Sequence, residues 1–266
     1  MLSVVLATFD RQSVYATLSA LKQLNEPVEI ILIDDASPKL VYAVGVKLHR
    51  NPANRGLSYC RNKGLELASN DCVAFIDDDA LPAKAWSQQL AKSFSAGADI
   101  VGGSIAPEWV TRKPWWFCFL NECLFGTNQE TGIILGCNFA VRKSFLASYG
   151  LGFDERLGRR GRDLIAGEES ELLFRARDRG AQIVFNRGAL VFHLMGADKA
   201  SFQYFLKRVF AEGRTEGVRG RLRQHLGYFL KNVWRAFKRS KFRACAAGLL
   251  TLPVYLAGGI WGKTVG

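Results

Sequence analysis

Three consecutive carboxylates, Asp77, Asp78 and Asp79, directly follow an apolar run at residues 72–76. The β-prone residues of that run predict a buried strand, so the carboxylates should stand at the rim of a sheet. Clustered carboxylate oxygens suit hard divalent cations such as Mg²⁺. The pattern therefore predicts a metal site and, with it, chemistry on phosphate groups. A solvated turn before Pro82 is the alternative for these residues taken alone.

A second acidic pair, Glu168 and Glu169, follows Gly167 at the expected start of a helix. Acidic residues there are favoured by the helix dipole, which is the simplest interpretation of the pair by itself. A carboxylate in this position can also act as a general base. His193 follows a predicted strand at residues 189–192, where it is either a structural residue or a ligand.

The elements that must position these groups alternate along the first hundred residues. The hydrophobic patterns predict strands at residues 3–7, 29–33, 72–76 and 100–101, and helices at about 13–24, 57–68 and 84–96. They continue with a strand at 133–141, a helix at 164–179 and a strand at 182–185. Such alternation predicts βαβ units, hence an α/β fold with a mostly parallel sheet flanked by helices. Ligands of such sheets bind at the carboxyl ends of the strands.

Composition sets the size and the compartment of the molecule. At 266 residues and 48% hydrophobic, the chain can bury the core of one large domain plus an appendage, and disorder is not expected. Its six cysteines have no paired metal-ligand spacing, which indicates reduced thiols in a cytosolic compartment. The first residues lack a basic leader and a cleavage site, so we expect no secretory signal.

The positive charge is concentrated near the C-terminus. The net charge is +12, and residues 201–243 hold twelve basic residues against two acidic ones. Residues 244–261 are uncharged. We therefore predict a main domain at residues 1–200 and a basic, then hydrophobic, helical extension at residues 201–266.

Six motifs resemble those of family-2 glycosyltransferases with the GT-A fold, and they occur in the family's order. They lie at residues 4–11, 31–37, 54–64, 75–79, 136–142 and 167–172. The resemblance covers roughly residues 1–195. It implies a Rossmann-like GT-A domain that transfers a sugar from a nucleotide-diphosphate donor to an acceptor hydroxyl, with inversion and with Mn²⁺ or Mg²⁺ as cofactor.

The resemblance also assigns roles to residues of the motifs. Asp79 matches the metal ligand, with His193 as a further metal or phosphate contact. Glu169 matches the general base, although the family usually has Asp there, and this departure leaves Glu168 open as the base. The residues matched to the nucleotide-sugar pocket are Thr8, Arg11, Asp35, Arg61, Asp77 and Asp78.

The acceptor side is predicted from an aromatic segment. Neighbouring side chains of a strand point in opposite directions, so Trp115 and Trp116 cannot both face inward. We interpret one of them as a lid or an acceptor platform, because a flat indole suits a sugar ring. Asn138, in the fifth motif, is assigned to the same side.

The extension predicts a membrane partner. Basic residues interleaved with aromatic residues such as Phe205 and Phe210 favour attachment to anionic lipid. We expect a peripheral, monotopic or re-entrant attachment on the cytoplasmic side of the inner membrane. The acceptor would then be a saccharide or lipid-linked saccharide in the synthesis of a surface polysaccharide or glycolipid. The alternative is a soluble helical appendage that packs on the main domain.

Two other functions fit parts of the sequence. A non-catalytic nucleotide-sugar-binding protein would explain Glu169 in place of Asp. A binder of single-stranded nucleic acid could use the basic segment, because aromatic residues among Lys and Arg suit single strands. That second function leaves the six motifs unexplained, so we expect no nucleic-acid partner.

Overall fold

The computed structural model describes residues 1–117, 122–129, 131–161, 163–220, 226–227, 234 and 242–265. The strands are β1 (Leu2–Thr8), β2 (Glu29–Asp34), β3 (Lys47–Arg50), β4 (Cys72–Asp77), β5 (Ala80–Pro82), β6 (Ile100–Trp109), β7 (Asn138–Arg142) and β8 (Ile183–Met195). They form one sheet in the order β3-β2-β1-β4-β7-β6-β8-β5. β1 pairs in parallel with β2 and β4, and β7 runs antiparallel between β4 and β6.

Helices flank this sheet, as the sequence predicted for an α/β domain. They are α1 (Val14–Lys22), α2 (Leu57–Leu67), α3 (Trp86–Ser95), α4 (Lys143–Ser148), α5 (Glu168–Asp178), α6 (Phe202–Val218) and α7 (Phe242–Val265). Two short 3-10 helices span Glu122–Phe125 and Ala197–Ala200.

The core lies on both faces of the sheet because side chains of a strand alternate between its faces. On one face, Val4 of β1 packs in a buried cluster with Trp86 of α3. On the other face, Val5 packs with Phe75 and Phe139. The parallel pairing of β1, β2 and β4 brings their carboxyl ends to one edge, where polar residues follow each strand.

Helix α2 lies directly against β1. A Cβ atom on Gly64 would lie 2.2 Å from Val5 Cγ1, so only glycine lets the helix come this close. The same helix carries Arg61, which it thereby holds against the edge of the sheet.

The predicted strand at residues 133–141 was wrong in its first half. β7 begins at Asn138, and the preceding residues form a loop. The buried amide of Asn128 donates to the carbonyls of Ile133 and Gly103 at 2.8 and 2.9 Å, which anchors the loop outside the sheet. Gly136 in this loop accepts a hydrogen bond from Arg61 at 2.9 Å.

The C-terminal helices pack closely on each other. A Cβ on Gly213 of α6 would lie 2.0 Å from the carbonyl oxygen of Tyr255, and one on Gly258 of α7 would lie 2.1 Å from the carbonyl oxygen of Phe210. Small residues therefore let the two backbones touch. Within the described part of the chain, no helix combines the length and the hydrophobicity needed to cross a membrane.

The extension also packs on the main domain. Phe205 is buried with Trp116 and Met195, so its predicted exposure to lipid was wrong: its ring stacks on Trp116 with centroids 4.7 Å apart. Other aromatic and basic residues assigned to the lipid-binding segment lie outside the described residues, namely Arg221, Arg223, Tyr228, Phe229, Lys231, Arg235, Phe237, Lys238, Arg239 and Lys241.

Candidate active site

A cleft opens at the edge of the sheet where β1 and β4 end. Most of the predicted site residues line it, namely Thr8, Arg11, Asp35, Arg61, Asp77, Asp78, Asp79, Glu168, Glu169 and His193. These residues come from six separate parts of the chain. The fold thus brings together two acidic groups that are about ninety residues apart in the sequence, at the end of β4 and at the start of α5.

The two predicted metal ligands lie side by side because short strand β5 pairs with the end of β8. Ala80 is opposite His193 in this pairing, and Leu194 N donates to the carbonyl of Asp79 at 2.8 Å. Asp79 Oδ1 consequently lies 3.0 Å from His193 Nε2. We refer to these two residues as the Asp79–His193 pair.

Asp79 is surrounded by positive charge. Its Oδ2 accepts hydrogen bonds from Arg11 Nη1 at 3.0 Å and from Lys199 Nζ at 2.8 Å. Burial opposes the ionisation of Asp79, but His193, Lys199 and Arg11 outweigh it and hold its pKa well below the ordinary value. Asp79 is therefore a carboxylate at neutral pH.

The pKa of Asp78 is shifted in the opposite direction to that of Asp79. Its Oδ2 accepts a hydrogen bond from Thr8 Oγ1 at 2.7 Å. Burial, together with the adjacent charge of Asp79, raises the pKa of Asp78 to about 7. The residue thus ties the end of β1 to the end of β4.

The Asp79–His193 pair suits a divalent metal in the chemistry of its donors. A carboxylate oxygen and an imidazole nitrogen are both ligands of Mn²⁺-like cations. His193 Nδ1 lies 3.2 Å from the carbonyl of Gly126, the type of partner that orients a metal-binding histidine. No group of three His, Cys, Asp or Glu side chains suited to a metal occurs in the ranges that the structure describes.

Arg61 joins the two acidic motifs. Its guanidinium pairs with Glu168 Oε1 at 2.5 Å and with Asp77 Oδ1 at 3.4 Å, and only 3% of the side chain is exposed. These protein contacts use much of its donor capacity, and its contact with a nucleotide stays a prediction. Arg61 stabilises Glu168 as a buried carboxylate.

Glu169 differs from Glu168 in its partners. Gly167, with a φ of 94°, turns the chain into α5 just before Glu168 and Glu169. Glu169 Oε1 accepts a hydrogen bond from Ser170 Oγ at 3.3 Å, and no ion pair reaches Glu169 from the described residues. Burial and the charge of Glu168 raise the pKa of Glu169 to about 7. A carboxylate with that pKa accepts a proton more readily at neutral pH than an ordinary one.

Asp35 holds the loop that begins α2. Its carboxylate accepts hydrogen bonds from Asn51 Nδ2 at 2.7 Å and from the backbone N–H groups of Arg55 and Gly56 at 2.9 and 2.8 Å. The residue lines the cleft, and its contact with a nucleotide sugar stays a prediction.

The predicted acceptor residues lie apart from the lining of the cleft. Asn138 is fully buried in the sheet, where its amide contacts Trp86 Nε1 and the carbonyls of Ser104 and Ala189 at 2.8 to 2.9 Å. Trp116 is buried, with its ring stacked on that of Phe205. Trp115 is 56% exposed and stacks on Phe202 with centroids 6.5 Å apart. One indole is exposed and the other buried, although residues 115–116 form a turn and not the strand on which that expectation was based.

Two basic residues of the site were not predicted individually. Lys199 reaches Asp79 from the 3-10 helix before α6. Arg208 of α6 is 4% exposed, lines the cleft and donates to the carbonyls of Leu124 and Leu164 at 2.8 and 3.3 Å. Burial and the nearby charge of Arg159 lower its pKa to about 10. The sign of its burial in the sequence is helical spacing: Phe205 and Ala211, three residues before and after Arg208, lie on the same face of α6 and are buried as well.

A protein-family model and named proteins of other organisms are similar to this chain in sequence. The family model described as glycosyl transferase family 2 matches residues 3–150. The chain is 31% identical over 219 residues to the glucosyl-dolichyl phosphate glucuronosyltransferase of Haloferax volcanii, covering 75% of this chain and 70% of that protein. It is 26% identical over 271 aligned positions to the succinoglycan biosynthesis protein ExoM of Rhizobium meliloti, covering 95% of this chain and 85% of that protein.

Solved structures share the architecture. The crystal structure of S. aureus TarS 1-349 in complex with UDP matches with a TM-score of 0.54 and 18% identity, covering 79% of this chain and 63% of that chain. The complex of the same fragment with UDP-GlcNAc also gives a TM-score of 0.54. The chain thus spans less than two thirds of the crystallised fragment, and at this identity the likeness shows the fold alone.

Proposed function

The chain belongs to glycosyl transferase family 2, and we propose that it transfers a sugar from a nucleoside diphosphate sugar to an acceptor hydroxyl with inversion and with a divalent metal. One observation carries this proposal: the residues for the metal and for the base line a single cleft. The Asp79–His193 pair and the buried carboxylate Glu169, whose pKa is about 7, line the same cavity. Transfer needs both a cation at the leaving diphosphate and a base at the attacking hydroxyl.

The donor diphosphate belongs at the end of the cleft that holds the Asp79–His193 pair. These two residues would bind Mn²⁺ or Mg²⁺, which supplies positive charge to the leaving group when bound. Arg11, whose side chain is 44% exposed, can turn from Asp79 toward phosphate oxygens without leaving a buried position. Arg208, which contacts two carbonyls, adds a fixed positive charge at the cleft wall.

In the proposed transfer step Glu169 is the general base. The acceptor oxygen forms a bond to the anomeric carbon, and the bond from that carbon to the diphosphate oxygen breaks with its electron pair. Glu169 accepts the proton of the acceptor hydroxyl. Attack from the side opposite the leaving group inverts the anomeric configuration. Glu168 is paired with Arg61 and serves to position that side of the site.

The relatives support the choice of substrates. TarS was crystallised with UDP and with UDP-GlcNAc, so uridine diphosphate sugars are the first donors to test. The named relatives act on a glucosyl-dolichyl phosphate or in succinoglycan biosynthesis. We therefore propose a saccharide or lipid-linked saccharide acceptor in the synthesis of a surface polysaccharide or glycolipid.

A thermal-shift screen of nucleotide sugars tests the donor site, because a ligand that binds only the folded state raises the melting temperature. We expect one donor class to stabilise the wild-type protein more with Mn²⁺ than without it. Asp79→Ala should lose the metal-dependent part, whereas Asp178→Ala, an exposed carboxylate on α5, should behave as wild type. Equal shifts with and without Mn²⁺ in the wild-type protein would contradict a metal site at Asp79.

Attachment to the cytoplasmic face of a membrane is a further part of the proposal. Helix α7 buries Tyr255 and Gly258 against the protein and presents Leu250, Ile260 and Trp261 on its other side, each more than half exposed. An apolar helix face beside a segment rich in Lys and Arg suits an anionic lipid surface. An acceptor held in that membrane would then be near the cleft.

Vesicle sedimentation tests this attachment. The protein should sediment with vesicles that contain anionic lipid and much less with purely zwitterionic ones. Leu250→Glu should weaken sedimentation at least tenfold, whereas Tyr42→Glu, a 73% exposed apolar residue in the loop after β2, should not. Equal sedimentation of Leu250→Glu and wild type would exclude α7 as the contact.

A further inference from the structure

Lys199 is a buried lysine whose ammonium lies between the two residues of the Asp79–His193 pair. Its Nζ donates to Asp79 Oδ2 at 2.8 Å, lies 3.2 Å from His193 Nε2 and donates to the carbonyl of Leu194 at 3.2 Å. Only 5% of the residue is exposed. An ammonium has three N–H donors, and Asp79 Oδ2 and the carbonyl of Leu194 accept two of them.

The position of the Lys199 ammonium is defined by both residues of the pair. His193 Nδ1 lies 3.2 Å from the carbonyl oxygen of Gly126, which leaves Nε2 as the ring nitrogen toward Asp79. Asp79 Oδ1 lies 3.0 Å from Nε2. Lys199 Nζ therefore contacts the same carboxylate and the same ring nitrogen that a metal held by the pair would use.

We propose that Lys199 is the resident cation of the Asp79–His193 pair and that a divalent metal binds there only by displacing the ammonium. The inference rests on the metal site of the proposed function. Any cation bound by both residues needs the space that Nζ fills. Two positive charges a few ångström apart in a buried site repel each other strongly, so the ammonium and the metal exclude one another.

The displacement has a consequence for the order of binding. The protein without nucleotide should bind metal weakly, because the metal must first break the three contacts of Lys199. A diphosphate would add ligands for the metal and an anion for the released ammonium. The four-carbon side chain of lysine is flexible enough to carry its charge to such an anion. Metal and nucleotide should therefore bind cooperatively.

Electron paramagnetic resonance of Mn²⁺ measures this directly, because free and bound Mn²⁺ are distinguished without any turnover. Wild-type protein and Lys199→Met would be titrated with Mn²⁺ alone. We expect Lys199→Met to bind Mn²⁺ at least tenfold more tightly than wild type. Lys207→Met, which removes an exposed lysine from α6, should bind as wild type does. Adding Asp79→Ala to Lys199→Met should abolish the gain.

Two comparisons separate failure of this inference from failure of the metal site. Equal or weaker Mn²⁺ binding by Lys199→Met, while wild type binds Mn²⁺ in the presence of UDP, overturns the inference alone. No binding by either protein with or without UDP overturns the metal site as well. Lys199→Gln, which keeps a neutral donor toward Asp79, replaces Lys199→Met if circular dichroism shows that the first variant does not fold, and it should show the same gain.

Discussion

Ionisation of the buried Glu169 should lower the free energy of unfolding near neutral pH, where this residue is proposed to act as a base. Burial and the charge of Glu168 raise its pKa from 4.5 to about 7. At about 1.4 kcal/mol for each pH unit between the two values, ionising Glu169 in the folded protein costs about 3 kcal/mol more than in the unfolded chain. Glu169→Gln removes this cost while keeping the size of the side chain.

The sign of the effect follows from proton binding. Between the two pKa values the folded protein keeps a proton that the unfolded chain has released, so stability falls as the pH rises from about 4.5 to about 7. The free energy of unfolding of Glu169→Gln should therefore equal that of wild type near pH 4.5 and exceed it by about 3 kcal/mol above pH 7.5. For a chain of this size that corresponds to a rise in melting temperature of roughly 2–4 °C per kcal/mol.

Urea unfolding of wild type and Glu169→Gln at several pH values is the assay, since the other titrating groups cancel in the difference. Glu66→Gln, an exposed carboxylate on α2, is the matched control and should show no comparable rise. A difference between wild type and Glu169→Gln that does not change with pH would falsify the assignment of the raised pKa to Glu169.

Other residues give equally direct tests. Arg208→Met should lower kcat/KM for the donor at least tenfold while leaving the melting temperature within a few degrees, measured by steady-state kinetics and thermal melting. Arg61→Met should destabilise the protein by about 3–5 kcal/mol, because it leaves Glu168 buried and unpaired, and adding Glu168→Gln should recover much of the loss in urea unfolding. Gly258→Val should separate α7 from α6 and cost about 1–3 kcal/mol, whereas Gly227→Ala, with open space around its Cβ, should be neutral in the same assay.

The sequence predicted the parts of the fold that local patterns determine. β1 and β4 were predicted within one residue at each end because β-prone apolar runs end there at polar residues. β5 was missed because three residues, Ala80–Pro82, carry no periodic pattern and become a strand only by pairing with β8. The patterns predicted two strands, at residues 182–185 and 189–192, where the structure has the single strand β8, because β6 pairs with both parts of it across the irregularity at Gly103 and Ser104.

The site residues also divide into those that local sequence predicts and those that depend on distant partners. Motif order identified the carboxylates of the cleft, because clustered charge after a strand is visible in the chain. Lys199 was not identified, since its partner Asp79 is 120 residues away and nothing in its neighbourhood indicates an ion pair. Asn138 lies in a motif, yet its amide is used within the sheet. The motif alone cannot distinguish a residue that contacts a ligand from one that supports the strand.

The stereochemistry of donor hydrolysis tests the central claim most directly. NMR spectroscopy of a uridine diphosphate sugar with Mn²⁺ and protein follows the anomeric proton of the sugar as water replaces the acceptor. We expect the first sugar released to have the anomeric configuration opposite to that of the donor, and Glu169→Gln to release none. Release with retained configuration, or equal release by Glu169→Gln, would contradict inversion with Glu169 as the base.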